Sequence, residues 1–378
     1  MRSAFLALIV MTAGCAPLAP CPKCPPAKPA PETAVYLQFT FDGLPGWPSA
    51  DLDRSLRTFL AGCPRSGPFS QVCARAASVP PDDPVAARAF FEANFVPYAL
   101  VSSDGPDSGL ITGYYEPIIE GSRTQSGENR YPIFGVPDDL IVVDLAAVNP
   151  DVRNMRLRGR LDGRRVVPYP SRGEIDARGV PAQVIAWASD PVELFFLHIQ
   201  GSGQVRLENG ERIRIGFADQ NGQPYRSLGR YLADRGELPL DQTSMQSIKA
   251  WAAVNPAKLK EALNSNPSYV FFRELPPAAD GPPGALGVPL TPEFSLAVDR
   301  RFAPLGAPVY LATTHPITEQ KLERMMTAQD TGGAIRGAVR ADFYFGTGPE
   351  AGAVAGRMRQ QGKMWLMWPR GEPPPRPD

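Results

Sequence analysis

Hydrophobic residues change their spacing several times along the chain. Between residues 51 and 95 they recur every three or four positions, and Leu52, Leu56, Phe59 and Leu60 share one helical face. Asp83-Pro84 supplies a capping carboxylate and then a proline suited to the first helical position, so an apolar-faced helix is expected over 85–95. From residue 110 the period shortens. Strands are expected over 110–115, 183–187 and 194–199, the last carrying His198 on one alternating face. Residues 204–215 alternate about Asn209-Gly210, a pair that accepts positive φ and predicts a hairpin with a type I′ turn. Asn221-Gly222 predicts another turn. Thr243 or Ser244 can cap a helix over 245–254, ended by Asn255-Pro256; a second helix over 257–264 and a strand over 269–273 follow. Beyond a Pro/Gly loop over 276–289, short strands are expected over 296–299, 308–312, 324–328, 341–345 and 364–368. A helix over 350–360, started by Pro349, interrupts them. So many closely spaced short strands predict a mainly β protein with peripheral helices, and favour barrels.

The N-terminus departs from this pattern. Arg2 precedes an apolar run over 4–11 that is far too short to span a membrane, and Thr12, Ala13 and Gly14 lead to Cys15. Small residues before a cysteine resemble a bacterial lipobox, with Thr12 standing where leucine is usual. The resemblance implies a signal peptide over 1–14 and a lipidated Cys15, with an ordinary cleaved secretory signal as the alternative. Residues 15–34 are crowded with proline and read as an extended tether. Buried acyl chains contribute about 0.8 kcal/mol per methylene, enough to anchor a chain. Ala16 offers no acidic retention signal, so the same logic implies the outer membrane of a Gram-negative bacterium, facing the periplasm. That compartment permits a Cys63–Cys73 bridge, the alternative being two buried thiols. Cys21 and Cys24 lie in the tether, which argues against a four-cysteine zinc site.

Charge and composition narrow the chemistry. Among 378 residues, 39 Lys and Arg balance 39 Asp and Glu, which argues against nucleic acid as a partner. His198 and His315 are the only histidines, too few for a histidine-rich metal centre. Phosphate-loop and dinucleotide fingerprints are missing from the sequence, and Gln200 spoils Gly201-Ser202-Gly203 as a nucleophile elbow. No metal and no cofactor are expected. Carboxylates remain. Asp299, Asp330 and Asp342 sit in or at the ends of expected strands, where aspartate is disfavoured and costly to bury alone. Each needs a function or a structural partner such as Arg300, Arg336 or Arg340.

These residues carry a specific resemblance. Residues 295–299 (SLAVD), 329–337 (QDTGGAIRG) and 341–346 (ADFYFG) resemble the 3D domain, named for three aspartates, of the membrane-bound lytic murein transglycosylase A family. Arg336 stands where lysine is common there. Residues 110–117 (LITGYYEP), 169–175 (YPSRGEI) and 196–203 (FLHIQGSG) resemble other signatures of that family, and the resemblance covers about 35–368. It implies a double-psi β-barrel domain over 35–112 and 264–378, with the 3D domain at about 295–368. A smaller β-barrel is inserted over 113–263, and a substrate groove runs between the two.

The implied activity is that of a peptidoglycan lytic exotransglycosylase, with peptidoglycan glycan strands as partner; whether it works from chain ends, and with which other cell-wall enzymes, stays open. The MurNAc-β-1,4-GlcNAc bond would be cleaved with formation of 1,6-anhydroMurNAc. Asp342 would be the single acid and base, protonated through a raised pKa, with Asp330 as its catalytic partner and Asp299 structural. Tyr114, Tyr115, Glu116, Gln200 and Ser202 suit sugar binding, with core packing as the alternative. A hydrolase on the same bond, or a non-catalytic peptidoglycan-binding lipoprotein, are the competing readings.

Overall fold

The computed structural model describes residues 33–63, 69–103, 105–145, 147–149, 157–276 and 281–376. The targeting segment, Cys15, and the tether up to residue 32 lie outside the described residues.

Local signals set the helices. In α1 (Leu52–Gly62) the Asp51 carboxylate caps Arg54 N, and in α3 (Pro84–Asn94) Asp83 accepts from Val85 N and Ala86 N. Leu52, Leu56 and Phe59 face inward from α1. With α2 (Ser70–Ala76), these helices surround an aromatic cluster of Phe59, Phe69, Phe90, Phe91 and Phe95, whose rings meet edge-on or tilted at 5.5–6.5 Å. Each such fully buried ring contributes about 1.5–3 kcal/mol. Cys63 at the end of α1 is disulfide-bonded to Cys73 in α2.

This layer covers an eight-stranded sheet. Its order is β1 (Ala34–Gln38), β2 (Phe95–Ser102), β17 (Arg359–Pro369), β14 (Pro308–Thr314), β15 (Lys321–Asp330), β13 (Ser295–Val298), β16 (Ala341–Thr347) and β3 (Gly109–Glu116). β3 also pairs with β17, so six of these strands close into a ring. Two neighbouring pairs, β13–β15 and β16–β3, are parallel. The buried faces are dense in Val, Leu, Met and aromatic residues. α9 (Pro349–Ala355) packs on the ring because two glycines let it approach: a Cβ on Gly113 would sit 2.8 Å from Ala355 Cα, and one on Gly352 would sit 2.7 Å from the Tyr115 ring. α9 ends at Ala355, before the expected residue 360, because Gln360 already belongs to β17.

Past β3 the chain enters a six-stranded sheet of order β12 (Val270–Leu275), β11 (Arg212–Gln220), β10 (Ser202–Leu207), β4 (Ile118–Ser122), β9 (Val184–Ala188) and β5 (Tyr131–Phe134). Three short strands, β6 (Ile141–Val142), β7 (Arg158–Asp162) and β8 (Arg165–Pro168), form a separate ribbon. The β10–β11 hairpin forms, but its turn differs from expectation. Only Gly210 takes a positive φ, +85°, and Gly210 N bonds Leu207 O, so the loop is longer than the two-residue I′ form.

The segment expected as a strand over 194–199 is instead part of a helix, α5 (Pro191–Gln200). Its cap repeats the Asp83-Pro84 signal, with Asp190 accepting from Val192 N and Glu193 N. The apolar run misleads because the helix is covered on two sides. Leu194 and Leu197 pack into the six-stranded sheet, while Val192 and Phe195 pack against α6 (Leu228–Asp234), α7 (Met245–Val254) and α8 (Pro256–Asn264). Such a helix needs little polar face, and periodicity loses its signal. α4 (Arg172–Arg178) carries a capping box of Ser171 and Glu174.

Candidate active site

A cleft of about 1280 Å³ is lined by residues of both large sheets and of the helices beside them. On its floor, one register row crosses five strands of the closed ring. Ala297 of β13 is paired with Asp330 of β15 on one side and with Asp342 of β16 on the other. Asp342 pairs with Thr112 of β3, and Thr112 with Arg359 of β17. Residues directly opposite one another across strands point to the same face, and all five line the cleft. The small Ala297 between the two aspartates leaves the space above it to whatever occupies the cleft.

Asp342 is held from one side only. The Thr112 hydroxyl and Arg340 Nη1 both donate to its Oδ1, and Oδ2 receives no hydrogen bond among the described residues. Its side chain stays 21% exposed. Asp330 is held differently: Oδ1 accepts from Thr331 N and Ala285 N, both at 2.9 Å. Burial pushes the Asp330 carboxyl up to about 6, against the pull of those two N–H groups and of Tyr114; the nearby Asp342 adds to the rise. The Tyr114 hydroxyl is buried without a regular hydrogen bond; burial first, then Asp330, push its pKa well above the usual tyrosine value. Its ring lies 5.1 Å from that of Tyr344.

Asp299 stands outside the cleft, 3% exposed. Burial opposes its charge, but the Arg301 guanidinium and the N–H groups of Gly337 and Arg301 hold its carboxyl below the usual range. In doing so it fastens the 330–340 loop that carries the Gly-rich turn after Asp330.

The residues expected to bind sugar divide. Tyr114, Gln200 and Ser202 line the cleft, and Gln200 Oε1 is fixed by Tyr115 N at 3.2 Å. Tyr115 and Glu116 do not reach it. The Tyr115 ring is packed under Gly352 of α9, with its hydroxyl toward Met245 Sδ. Glu116 is 0% exposed and forms an ion pair with Arg214 at 2.8 Å. Adjacent residues of a strand point to opposite faces, so Tyr114 and Tyr115 could not both line one wall.

His198, on α5 rather than a strand, is buried against Arg172, whose Nη1 lies 2.9 Å from its Nδ1. Since arginine only donates, Nδ1 accepts and the proton sits on Nε2. Burial, then the adjacent guanidinium, push its pKa well below the usual histidine value.

Several cleft residues escaped the sequence reading. Thr112 fixes Asp342 together with Arg340, one of the arginines expected as a carboxylate's partner, yet nothing in the local pattern separates Thr112 from other strand residues. Phe217 and Tyr225 are 41% and 47% exposed in the cleft, where aromatic faces are unusual on open surface. The Gly222 turn between them gave a signal for the loop but not for its direction.

A family model described as "MltA specific insert domain" matches residues 110–273, and one described as "3D domain" matches residues 294–368. The chain is similar to the membrane-bound lytic murein transglycosylase A of Escherichia coli (strain K12), with 34% identity over 279 residues, 71% of this chain and 68% of the relative. The fold is similar to that of MltA from Neisseria gonorrhoeae in its monoclinic form, with TM-score 0.80 and 42% identity over 91% of this chain and 95% of that one. E. coli MltA with bound chitohexaose matches with TM-score 0.63 and 26% identity, over 89% of this chain and 94% of that one.

Proposed function

The chain belongs to the membrane-bound lytic murein transglycosylase A family, and from that premise we propose that it cleaves the MurNAc-β-1,4-GlcNAc bond of peptidoglycan with Asp342 as its single acid and base. The observation that carries the reading is the one-sided hold on Asp342. With both donors on Oδ1, a proton on Oδ2 faces no competing protein partner. Oδ2–H donates to the bridging oxygen and the GlcNAc leaves. The muramoyl 6-hydroxyl attacks its own anomeric carbon and returns its proton to the carboxylate. The nucleophile is part of the substrate, so no water is consumed, and intramolecular attack of this kind has a very high effective concentration. Asp330 sits in the same row as a second carboxyl and, with Tyr114, bounds the acid's surroundings. Tyr114, Gln200, Ser202, Phe217 and Tyr225 supply hydroxyl, amide and aromatic contacts of the kind a glycan strand uses.

The closed ring of six strands, with its two parallel pairs, supports reading that domain as a double-psi β-barrel, and the inserted β domain is longer than the expected 113–263, because β12 (Val270–Leu275) pairs with β11 in its sheet. Among the described residues no helix is long and apolar enough to cross a membrane, and the relatives are named membrane-bound. A lipid on Cys15, holding the enzyme on the outer membrane toward the periplasm, fits both.

The test is product analysis. Purified sacculi digested with the protein and examined by mass spectrometry should yield 1,6-anhydro ends, one water lighter than reducing ends. Reducing ends in their place would make the protein a hydrolase with Asp330 as second carboxylate, and intact sacculi would make it a binding protein.

A further inference from the structure

The chain as a whole is electrically neutral, but its cleft is not. Charges lining the cleft are six arginines and three aspartates, with no lysine or glutamate. Two of the arginines are engaged: Arg340 with Asp342, and Arg172 with His198. The other four, Arg230, Arg273, Arg357 and Arg359, have exposed side chains. Among the described residues none of the four forms an ion pair with a carboxylate. They come from different elements: Arg230 from α6, Arg273 from the edge strand β12, and Arg357 and Arg359 from the entry to β17. Arg230 and Arg273 belong to the side bearing Phe217 and Tyr225; Arg357 and Arg359 belong to the closed ring. Cations thus stand on both walls.

Four exposed guanidinium groups without a carboxylate ion pair give one concave site a positive potential, which raises the local concentration of anions. A neutral chitin-type oligosaccharide supplies no anion. Muramic acid does: its 3-O-lactyl arm ends in a carboxylate when free, and carries a peptide with several carboxylates when substituted. Arginine's planar fork matches a carboxylate with two parallel hydrogen bonds. We infer that Arg230, Arg273, Arg357 and Arg359 form an anion-binding rim that recognises carboxylates carried by the lactyl arms of the glycan, so that the enzyme selects charged strands over uncharged ones. This rests on the lytic reading and names a specificity that the reading leaves open. The rim acts on binding, since none of the four is bonded to Asp342.

The test compares three strands of equal length: native peptide-bearing strands, peptide-free strands with free lactyl carboxylates, and peptide-free strands whose carboxylates are converted to methylamides. Wild type, R230Q/R273Q and R357Q are assayed at low and high salt for kcat and KM, and for co-sedimentation with each strand. An exposed pair contributes little alone, so losing two should raise KM on charged strands by about fivefold to tenfold. High salt should raise it further. The methylamide strand should start with the higher KM and respond far less to either change. Equal responses on the first two strands assign the rim to the lactyl carboxylate; a response confined to the first assigns it to the peptide. The same KM on charged and methylamide strands, or variants that weaken both alike, would overturn the inference. If no strand yields anhydro ends, the lytic reading fails instead, and co-sedimentation still reports whether charged strands are preferred.

Discussion

Two acids lie along β3, one at its end and one beside its middle, and the protein treats them in opposite ways. Glu116, where the chain leaves the closed ring, is fully buried. It holds Arg214 at 2.8 Å and accepts from Gln204 Nε2 at 2.9 Å and Thr347 Oγ1 at 2.8 Å. Arg214 and Gln204 belong to the six-stranded sheet and Thr347 to the ring, so the carboxylate clasps one to the other. Asp342, beside Thr112 four residues earlier on the same strand, has donors on one oxygen and cleft around it. A carboxylate whose lone pairs are saturated is committed to structure; one left half-open keeps capacity for a proton and a substrate. Sequence alone ranks both as acids beside aromatic residues.

The sharpest way to break this contrast is Asp342→Asn. Asparagine can still accept from Thr112 and Arg340 but has no acid proton, so release of soluble muropeptides should fall by about 10³-fold, within the range of lost general-acid catalysis. The thermal midpoint should stay within a few degrees. Release near the wild-type rate would remove Asp342 from the chemistry.

Glu116→Gln should do the reverse. It removes the negative charge that Arg214 faces in the interior, a change that costs about 3–5 kcal/mol in comparable buried pairs. Urea denaturation should show that loss, with turnover per folded molecule retained. A stable variant with lost turnover would mean that the clasp takes part in the reaction.

Asp330→Asn sharpens the comparison through pH. The folded Asp330 carboxyl titrates at about 6, above its ordinary value. The folded state therefore binds the extra proton, and stability falls as pH rises from about 4 to about 6. Asparagine needs no proton, so the variant should be more stable than wild type at pH 7.5 by about 1–3 kcal/mol. The gain should shrink toward pH 4. Denaturation midpoints at the two pH values check it, and a gain that grows in acid would reverse the assignment.

The smallest effect is expected from Thr112→Val, which removes one donor from Asp342 Oδ1 and keeps the strand's shape. A neutral hydrogen bond is worth about 1 kcal/mol, so kcat should drop roughly tenfold or less with stability nearly unchanged. No change in kcat would mean that Arg340 alone orients the acid.

Much of the fold was legible because its signals are local. Asp83-Pro84 and Ser244 mark helix starts through capping chemistry, and the 204–215 alternation marks a hairpin through its period. Failures arose where a distant partner decided. The 191–200 helix hides its period because two cores cover it, although Asp190-Pro191 carried the same start signal that was read at Asp83. Tyr115 and Glu116 look like site residues in the LITGYYEP run. The first is turned under α9 by strand alternation, and the second is taken by Arg214, almost a hundred residues on.

By itself the sequence determined which groups could do chemistry: few histidines, no phosphate loop, and three aspartates in strand-like surroundings. It also determined a charge balance of zero. Tertiary structure decided which of those groups meet. The row Asp330–Ala297–Asp342–Thr112–Arg359 joins five strands drawn from both ends of the folded chain. A slip of one residue in any pairing would turn its partners to the other face. The neutral total likewise conceals a cationic cleft, because only folding sorts arginines from distant elements onto its walls. Register and proximity between segments far apart in sequence are set by packing, and no local pattern encodes them.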